Sequence, residues 1–418
     1  MNQFKFAASH KAVTYGMMGL GVLCLLITFL IDDELHTRFW SNYLHNTVFF
    51  TGVAFISLFI MSAFITAWAG WYVTMKRVWE AYALFLIPGL ALMLVLIIGL
   101  WGGFHHLYHW ADAEAVATDK ILQHKSAFLN KGWYTFGTLI IMGVWIFFAM
   151  KLRQLSLDED QYGTTEYKYH HKMRIWAAAF LPLGGFTSAA LVWQWVMSVD
   201  AHWYSTLYAW YTGASWFVSA MALTILTVIF LKFMGYLEAI TEEHLHDMGK
   251  YLFAFSIFWT YLWFSQYMLI WYANVGEETV YFQTRQREYP VLFYGNLIIN
   301  FLVPFFVLMR NDTKRKYGTL VFVSAVVLIG HWLDFFQMIK PGVLHTAHEV
   351  MAHGHDHAHG EEAHHAFMMG FHFPGLLEIG TMIGFLGLFI YFVFSRLEKA
   401  SFEPKNDPYL AESLQHHV

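Results

Sequence analysis

Five acidic and histidine side chains are placed where they could transfer protons. His331 and Asp334 are three residues apart, so on a helix they share one face. The stretches that contain or border Glu378, Asp200 and His202 are, like theirs, mostly apolar. An ionisable group at bilayer depth costs several kcal/mol, so it is a functional candidate by default. These five residues are therefore candidates for proton transfer. The alternative is that they meet water at helix ends or only hold neighbouring helices together.

The elements that must position these groups are membrane helices. Of the 418 residues, 57% are hydrophobic and only 13% are charged, against roughly 25% charged in a soluble domain. A soluble fold of this composition would have too few polar side chains for its surface. The chain is therefore predicted to be an all-α integral membrane protein that forms a single membrane domain over residues 1–418. Nucleic-acid binding is excluded, because no concentrated basic surface is present.

Ten apolar stretches are long enough to cross a bilayer as helices, which takes about 20 residues. They are predicted at 12–31, 45–69, 79–101, 132–150, 175–199, 211–234, 251–273, 289–309, 317–338 and 371–395. The stretch 339–370 is predicted to be a His-rich loop, and 398–418 a polar tail.

The distribution of Lys and Arg predicts the orientation. With a cytoplasmic N-terminus, 18 of the 25 Lys and Arg residues fall on the cytoplasmic side and 7 on the outer side. Both termini are then cytoplasmic, and the His-rich loop is periplasmic. The five proton-transfer candidates all fall in the outer half of the membrane, whereas Glu80 is the best candidate in the inner half.

The cysteine and histidine content limits the cofactors. Cys24 is the only cysteine, which excludes a cysteine-ligated iron–sulfur cluster and covalent c-type haem in this chain. Histidines within the predicted helices are too few for paired haem ligands. The histidines between His345 and His365 are irregularly spaced among Gly and Ala, so no metal site is predicted there.

Three segments carry a resemblance to a known family. They are QWVMSVDAHWYSTLY at Gln194–Tyr208, FSQYMLIWYANVGEET at Phe264–Thr279 and GHWLD at Gly330–Asp334, followed by Pro341. With these segments the chain resembles the F-type membrane subunits of bacterial alternative complex III. Those subunits belong with the NrfD-like, polysulfide-reductase-type membrane proteins.

The resemblance implies a fold and a function. The fold would be ten transmembrane helices, with helices two to five and six to nine forming two four-helix bundles and two helices flanking them. The function would be that of a cofactor-free subunit of a respiratory quinol:cytochrome c or quinol:oxidase oxidoreductase in the bacterial inner membrane, with a structural role and a proton-conducting role. The electron donor would be menaquinol.

The resemblance also implies partner subunits. They are a quinol-binding C-type paralogue, an iron–sulfur/molybdopterin-like subunit and haem-c subunits, together with a haem–copper oxidase as the electron acceptor. The haem c and the iron–sulfur clusters would reside in these partners.

Two alternatives remain open at this stage. In the first, the chain is itself the quinol-binding subunit, with its site near the outer ends of helices two to five. The base that quinol oxidation needs near each hydroxyl would then be supplied by His45, His105, His106, Asp200 or His202. In the second, it is a secondary transporter, which would place interrupted helices at matching positions in two repeats. Pro88 and Pro304 are a poor match to that pattern.

Overall fold

The computed structural model describes residues 4–163, 166–353, 370–402 and 404–417. In these residues the chain is 81% helical and contains no strand. Nine of the described helices are long and apolar enough to cross a membrane. The prediction of an all-helical, multi-pass membrane protein is thereby confirmed.

Ten long helical segments make up the described fold. In chain order they are α1 Ala8–Ile31, α2 Thr37–Thr66, α3 Val73–Gly102, α4 Lys131–Tyr162, α5 Lys168–Val199, α6 Leu207–Phe233, α7 Glu242–Ala273, α8 Pro290–Leu308, α9 Tyr317–His353 and α10 Leu376–Leu397. All but α7 are among the nine apolar helices. Helix α7 has 32 residues, but its many Trp and Tyr side chains lower its hydropathy.

Helices α2 and α6 form the centre of the molecule, because they are the most buried of the apolar helices. Helix α2 contacts α3, α5, α6, α9 and α10, while α6 also packs on α7 and α9. Helices α1 and α10 lie along each other at the periphery. Their backbones nearly touch, since a Cβ on Gly21 would lie 2.4 Å from the Cα of Gly384. Small residues of this kind allow close packing of membrane helices.

Both termini lie at the same end of the helices. Phe4 makes edge-to-face ring contacts with Phe394 and Phe402, at centroid distances of 5.4 and 5.8 Å. This end is called the termini side, and the opposite end, where α9 approaches the start of α10, is called the far side.

Several predicted helix ends differ from the structure, and the largest difference is at the end of α9. The loop predicted for 339–370 starts too early, because α9 continues to His353. Lys340 and Val343 are fully buried there, so this stretch packs as helix despite its polar residues. Residues 354–369, which hold most of the His-rich segment, lie outside the described residues.

The predicted tail 398–418 is not a free extension. Its residue Asp407 is buried against Lys76, and Ser413 is buried against Trp71. A short helix, Leu410–Leu414, ends this packed segment. The C-terminal residues are therefore part of the fold on the termini side.

Candidate functional site

Asp334 lies in the core between α9, α6 and α7 and is only 1% exposed. Three donors converge on its carboxylate. Ser215 Oγ and Trp259 Nε1 lie 3.1 and 3.0 Å from Oδ2, and the Tyr211 hydroxyl bonds to Oδ1. These three donors give both buried oxygens of Asp334 a hydrogen-bond partner.

Ser215 links Asp334 to His331. Its Oγ lies 2.9 Å from His331 Nδ1 as well as 3.1 Å from Asp334 Oδ2. A hydroxyl has one proton to donate. When that proton points to Asp334, His331 must donate from Nδ1, and when it points to His331, Nδ1 must accept. Rotation of the Ser215 hydroxyl therefore decides whether Asp334 or His331 accepts its hydrogen bond. Both residues are buried.

A small cavity adjoins Asp334 on the far side. Its volume is about 20 Å³, enough for one water molecule, and Gln266 and Gln337 are among the residues that line it. The side-chain nitrogens of both glutamines are buried and have no hydrogen-bond partner within the described protein. Buried amide donors need a partner, so the cavity is suited to a water that bridges them to Asp334.

Arg285 lines the same cavity and connects it to the surface. It comes from the short helix Gly276–Glu288 and donates from Nη2 to Asp200 Oδ2 at 2.8 Å. Its guanidinium stacks on Tyr281, 3.4 Å from the ring centroid. The Asp200 side chain is 22% exposed. The groups thus form a series from His331 through Ser215, Asp334 and the cavity to Asp200, which reaches solvent. This series is called the far-side chain.

No protein-family model and no curated protein matches this chain. The chemistry of the far-side chain therefore has to follow from its own groups. It contains a carboxylate, an imidazole, hydroxyls and room for water, which are groups that can carry protons.

Glu378 lies in the same half of the molecule as His331 and Asp334 but belongs to a different group. Its carboxylate accepts from Arg38 Nε at 2.7 Å and from Arg38 Nη2 at 2.9 Å. Asn42 donates to it at 3.0 Å and in turn accepts from Lys340 Nζ at 2.6 Å. Glu378 sits at the start of α10 and bonds to the Gly375 amide, so it also caps that helix.

Asp32 lies next to this ion pair, in the turn before α2. It accepts from the backbone amides of Asp33, Arg38 and Phe39, so it holds the first turn of α2 in place. Burial raises the pKa of Asp32 to about 6 in spite of these hydrogen bonds. A second titratable carboxyl is thus present on the far side.

The remaining predicted residues do not converge on one site. His202 is on the surface and pairs with Asp119. His45 is buried in α2 and lies 2.9 Å from the Trp332 carbonyl through Nε2, while His105 is bound to the Leu96 carbonyl at 3.0 Å. His106 is half-buried.

A second cavity at the far side is large and apolar. Its volume is about 320 Å³, within the range of small-molecule sites. Trp203 lines it and is 5% exposed, and its indole nitrogen has no hydrogen-bond partner among the described residues. None of His45, His105 and His106 lines this cavity.

Sequence reasoning missed a buried ionic group on the termini side. It consists of Lys76, Arg77, Glu80, Arg153, Glu159, Asp160, His170 and Asp407, here called the termini-side cluster. Glu80 accepts from Arg77 at 2.7 Å and also binds Arg153. The sequence identifies only Glu80 as a candidate, because the other members lie at or beyond the ends of the apolar stretches.

The C-terminal segment closes this cluster. Asp407 accepts from Lys76 Nζ at 2.9 Å. Burial opposes ionisation of Asp407, but the charge and hydrogen bond of Lys76 outweigh it and lower the pKa of this carboxyl.

An aromatic core separates the two groups. Phe55 lies between Trp145 and Trp216, at ring centroid distances of 4.1 and 6.3 Å, and Trp216 stacks on Phe335 at 5.8 Å. These side chains offer no series of titratable groups between the far-side chain and the termini-side cluster.

Proposed function

We propose that the chain is an integral subunit, without redox cofactors of its own, of a respiratory quinol:electron-acceptor oxidoreductase. Its role there is to support the complex and to transfer protons through the far-side chain. One observation carries this proposal. Gln266 and Asp334, from two of the segments that resemble the alternative complex III subunits, line one cavity, and Asp200 from the third segment pairs with Arg285, which lines the same cavity.

We propose that protons leave at the exposed end of the far-side chain. Protons taken from quinol in a partner subunit would pass between Asp334 and Asp200 and leave at the exposed carboxylate. The aromatic core argues against a route across the whole membrane within this chain. The haem c, the iron–sulfur clusters and menaquinol belong, in this proposal, to partner subunits.

We further propose ten membrane spans. Both termini lie on the same side, which requires an even number of crossings, so α7 would be the tenth. Helix α7 starts on the termini side, where the ring of His244 is 5.2 Å from that of His416. Further along the helix, Trp259 reaches Asp334. The helix contacts are consistent with one bundle of α2 to α5 and another of α6 to α9.

The excess of Lys and Arg predicts that the termini side is cytoplasmic. We expect a cysteine in place of exposed Glu277, on the far side, to react with a membrane-impermeant maleimide in spheroplasts. A cysteine in place of exposed Lys399, on the termini side, should react only after lysis. Cys24 is buried, so the background is low. The reverse pattern would contradict the proposed orientation.

Purification tests the functional class. A tagged copy of the chain, extracted from its native membranes in mild detergent, is expected to bring with it subunits that show c-type haem absorption. A secondary transporter would be purified alone. Recovery of a single polypeptide without haem, under conditions that preserve a known respiratory complex from the same membranes, would contradict the proposal.

A second candidate function is quinol binding in this chain. The observation that favours it is the cavity of about 320 Å³, with its aromatic lining and the unpaired indole N–H of Trp203, which could bind a quinone oxygen. A density map of the purified complex distinguishes the two candidates. A ring-sized ligand at Trp203 would assign quinol binding here, and the same density only in the paralogue would leave this chain the proton role.

A further inference from the structure

Two members of the termini-side cluster have buried polar atoms that make no hydrogen bond. Glu159 is 2% exposed and His170 is 6% exposed. Both carboxylate oxygens of Glu159 and the Nδ1 of His170 are buried without a hydrogen-bond partner within the described protein. The Lys76 ammonium is 3.6 Å from Glu159, beyond hydrogen-bond distance. Buried polar atoms without a hydrogen bond cost free energy, so the position is suited to a ligand.

The unpartnered atoms point to one place. Glu159, His170 and Asp407 each offer one ligand atom, and these atoms lie within 4.8 Å of one another. His170 Nδ1 and Glu159 Oε1 are 3.6 Å apart, close to the ligand separation around a small cation. One imidazole with two carboxylates is a donor set suited to zinc and similar transition metals.

The charge of the cluster also favours an added cation. Its three cations, Lys76, Arg77 and Arg153, face four carboxylates, so one positive charge is missing when His170 is neutral. The Lys76 ammonium lies 2.9 Å from Asp407 and 3.6 Å from Glu159. The cluster therefore has fewer positive than negative charges, and both Glu159 oxygens lack a hydrogen bond.

We propose that Glu159, His170 and Asp407 bind a divalent transition-metal ion, of which zinc is the best fit. The bound ion links the C-terminal segment to α4 and α5. Asp407 is the only one of the three that comes from the C-terminal segment. That segment already bonds to α4, through the Lys405 amide on Asp160 and the Asn406 amide group on the Glu159 carbonyl. The ion would add a further link between the C-terminal segment and α4. This inference does not depend on the proposed function.

The first measurement is zinc content. The full-length chain, in detergent and in a background where the histidines from 353 to 365 are replaced by Ser, is incubated with zinc and desalted. We expect elemental analysis to find about one zinc per chain in the parent and none in the His170→Gln variant. The His171→Gln variant is the matched control and should keep its zinc, because His171 is the neighbouring residue but is exposed.

The second measurement reports on the C-terminal segment. Trypsin can cut after Lys405 only when the segment opens, so bound zinc should slow that cut. At a zinc concentration 100 times its Kd, the slowing should be about 100-fold in the parent chain and in His171→Gln. His170→Gln and Asp407→Asn should show no zinc-dependent slowing.

Two outcomes would overturn the proposal. One is a parent chain that holds no more zinc than His170→Gln, which would mean that a shared proton neutralises the cluster. The other is zinc that binds without changing the cut at Lys405. If His170→Gln fails to fold, Asp407→Asn serves for both measurements, because that residue lies outside the membrane helices.

Discussion

Asp334→Asn is expected to lower quinol oxidation, or the proton release coupled to it, several-fold while the complex still assembles. The substitution keeps the shape of the side chain and removes its titrating group. Asp334 is the one carboxylate that links Ser215 to the cavity near Arg285, so no neighbouring acid in the far-side chain replaces it. The measurement is quinol oxidation by the purified complex, together with proton release from reconstituted vesicles.

The hydrogen bonds at Asp334 require a matched control. An amide has one acceptor oxygen, whereas the carboxylate accepts from Tyr211, Ser215 and Trp259. The Ser215 hydroxyl can rotate, but the Trp259 N–H cannot, so Asp334→Asn should cost about 1–3 kcal/mol of stability. Trp259→Phe removes that donor and leaves the acid intact. It should lower stability without lowering proton release.

The pair of variants separates two roles of the far-side chain. If Asp334→Asn lowers activity and Trp259→Phe does not, the titrating group is required. If both variants lower activity equally, or neither does, the carboxylate only holds α6, α7 and α9 together, and the proton role is wrong. Glu378→Gln is an additional comparison. It leaves Arg38 without its carboxylate, so it should affect the junction of α2 and α10 rather than proton release.

The membrane helices were predictable because run length and hydropathy are local properties. The ends of these helices were less predictable. Helix α9 continues past residue 338 because Lys340 is buried on Ser41 and Asn42, and hydropathy alone cannot identify a buried cation that has partners. Helix α4 likewise extends to Tyr162, through a polar stretch that packs against the C-terminal segment.

The candidate site was predictable only where its residues share an element. The spacing of His331 and Asp334 placed them on one face of α9, but Ser215, which joins them, comes from α6. Arg285 had been counted as a loop charge, although its place one turn after Tyr281 would allow the two to stack. Glu378 was placed by depth alone, and depth does not determine which neighbour a side chain meets.

The termini-side cluster shows the same limit for charges at helix ends. Lys76, Arg77 and Arg153 were used to predict orientation, where each counts as one positive charge on the cytoplasmic side. Their partners come from α3, α4 and the C-terminal segment, which are far apart in sequence. A charge used as a topological signal can thus also be a buried structural group.

Glu80→Gln is expected to lower the stability of the folded chain by about 3–5 kcal/mol. The same oxygen of Glu80 binds both Arg77 and Arg153, and all three side chains are nine-tenths or more buried. The neutral amide would leave the two buried guanidinium groups of Arg77 and Arg153 without the negative charge that they share in Glu80. Thermal unfolding in detergent measures the loss of stability. The control is Glu166→Gln at an exposed residue, for which we expect almost no change.

A double variant tests whether the loss comes from uncompensated charge. Adding Arg153→Gln to Glu80→Gln removes one of the uncompensated cations, so the double variant should lose less stability than the sum of the two single variants. Equal losses in Glu80→Gln and Glu166→Gln would show that the cluster contributes little to the fold.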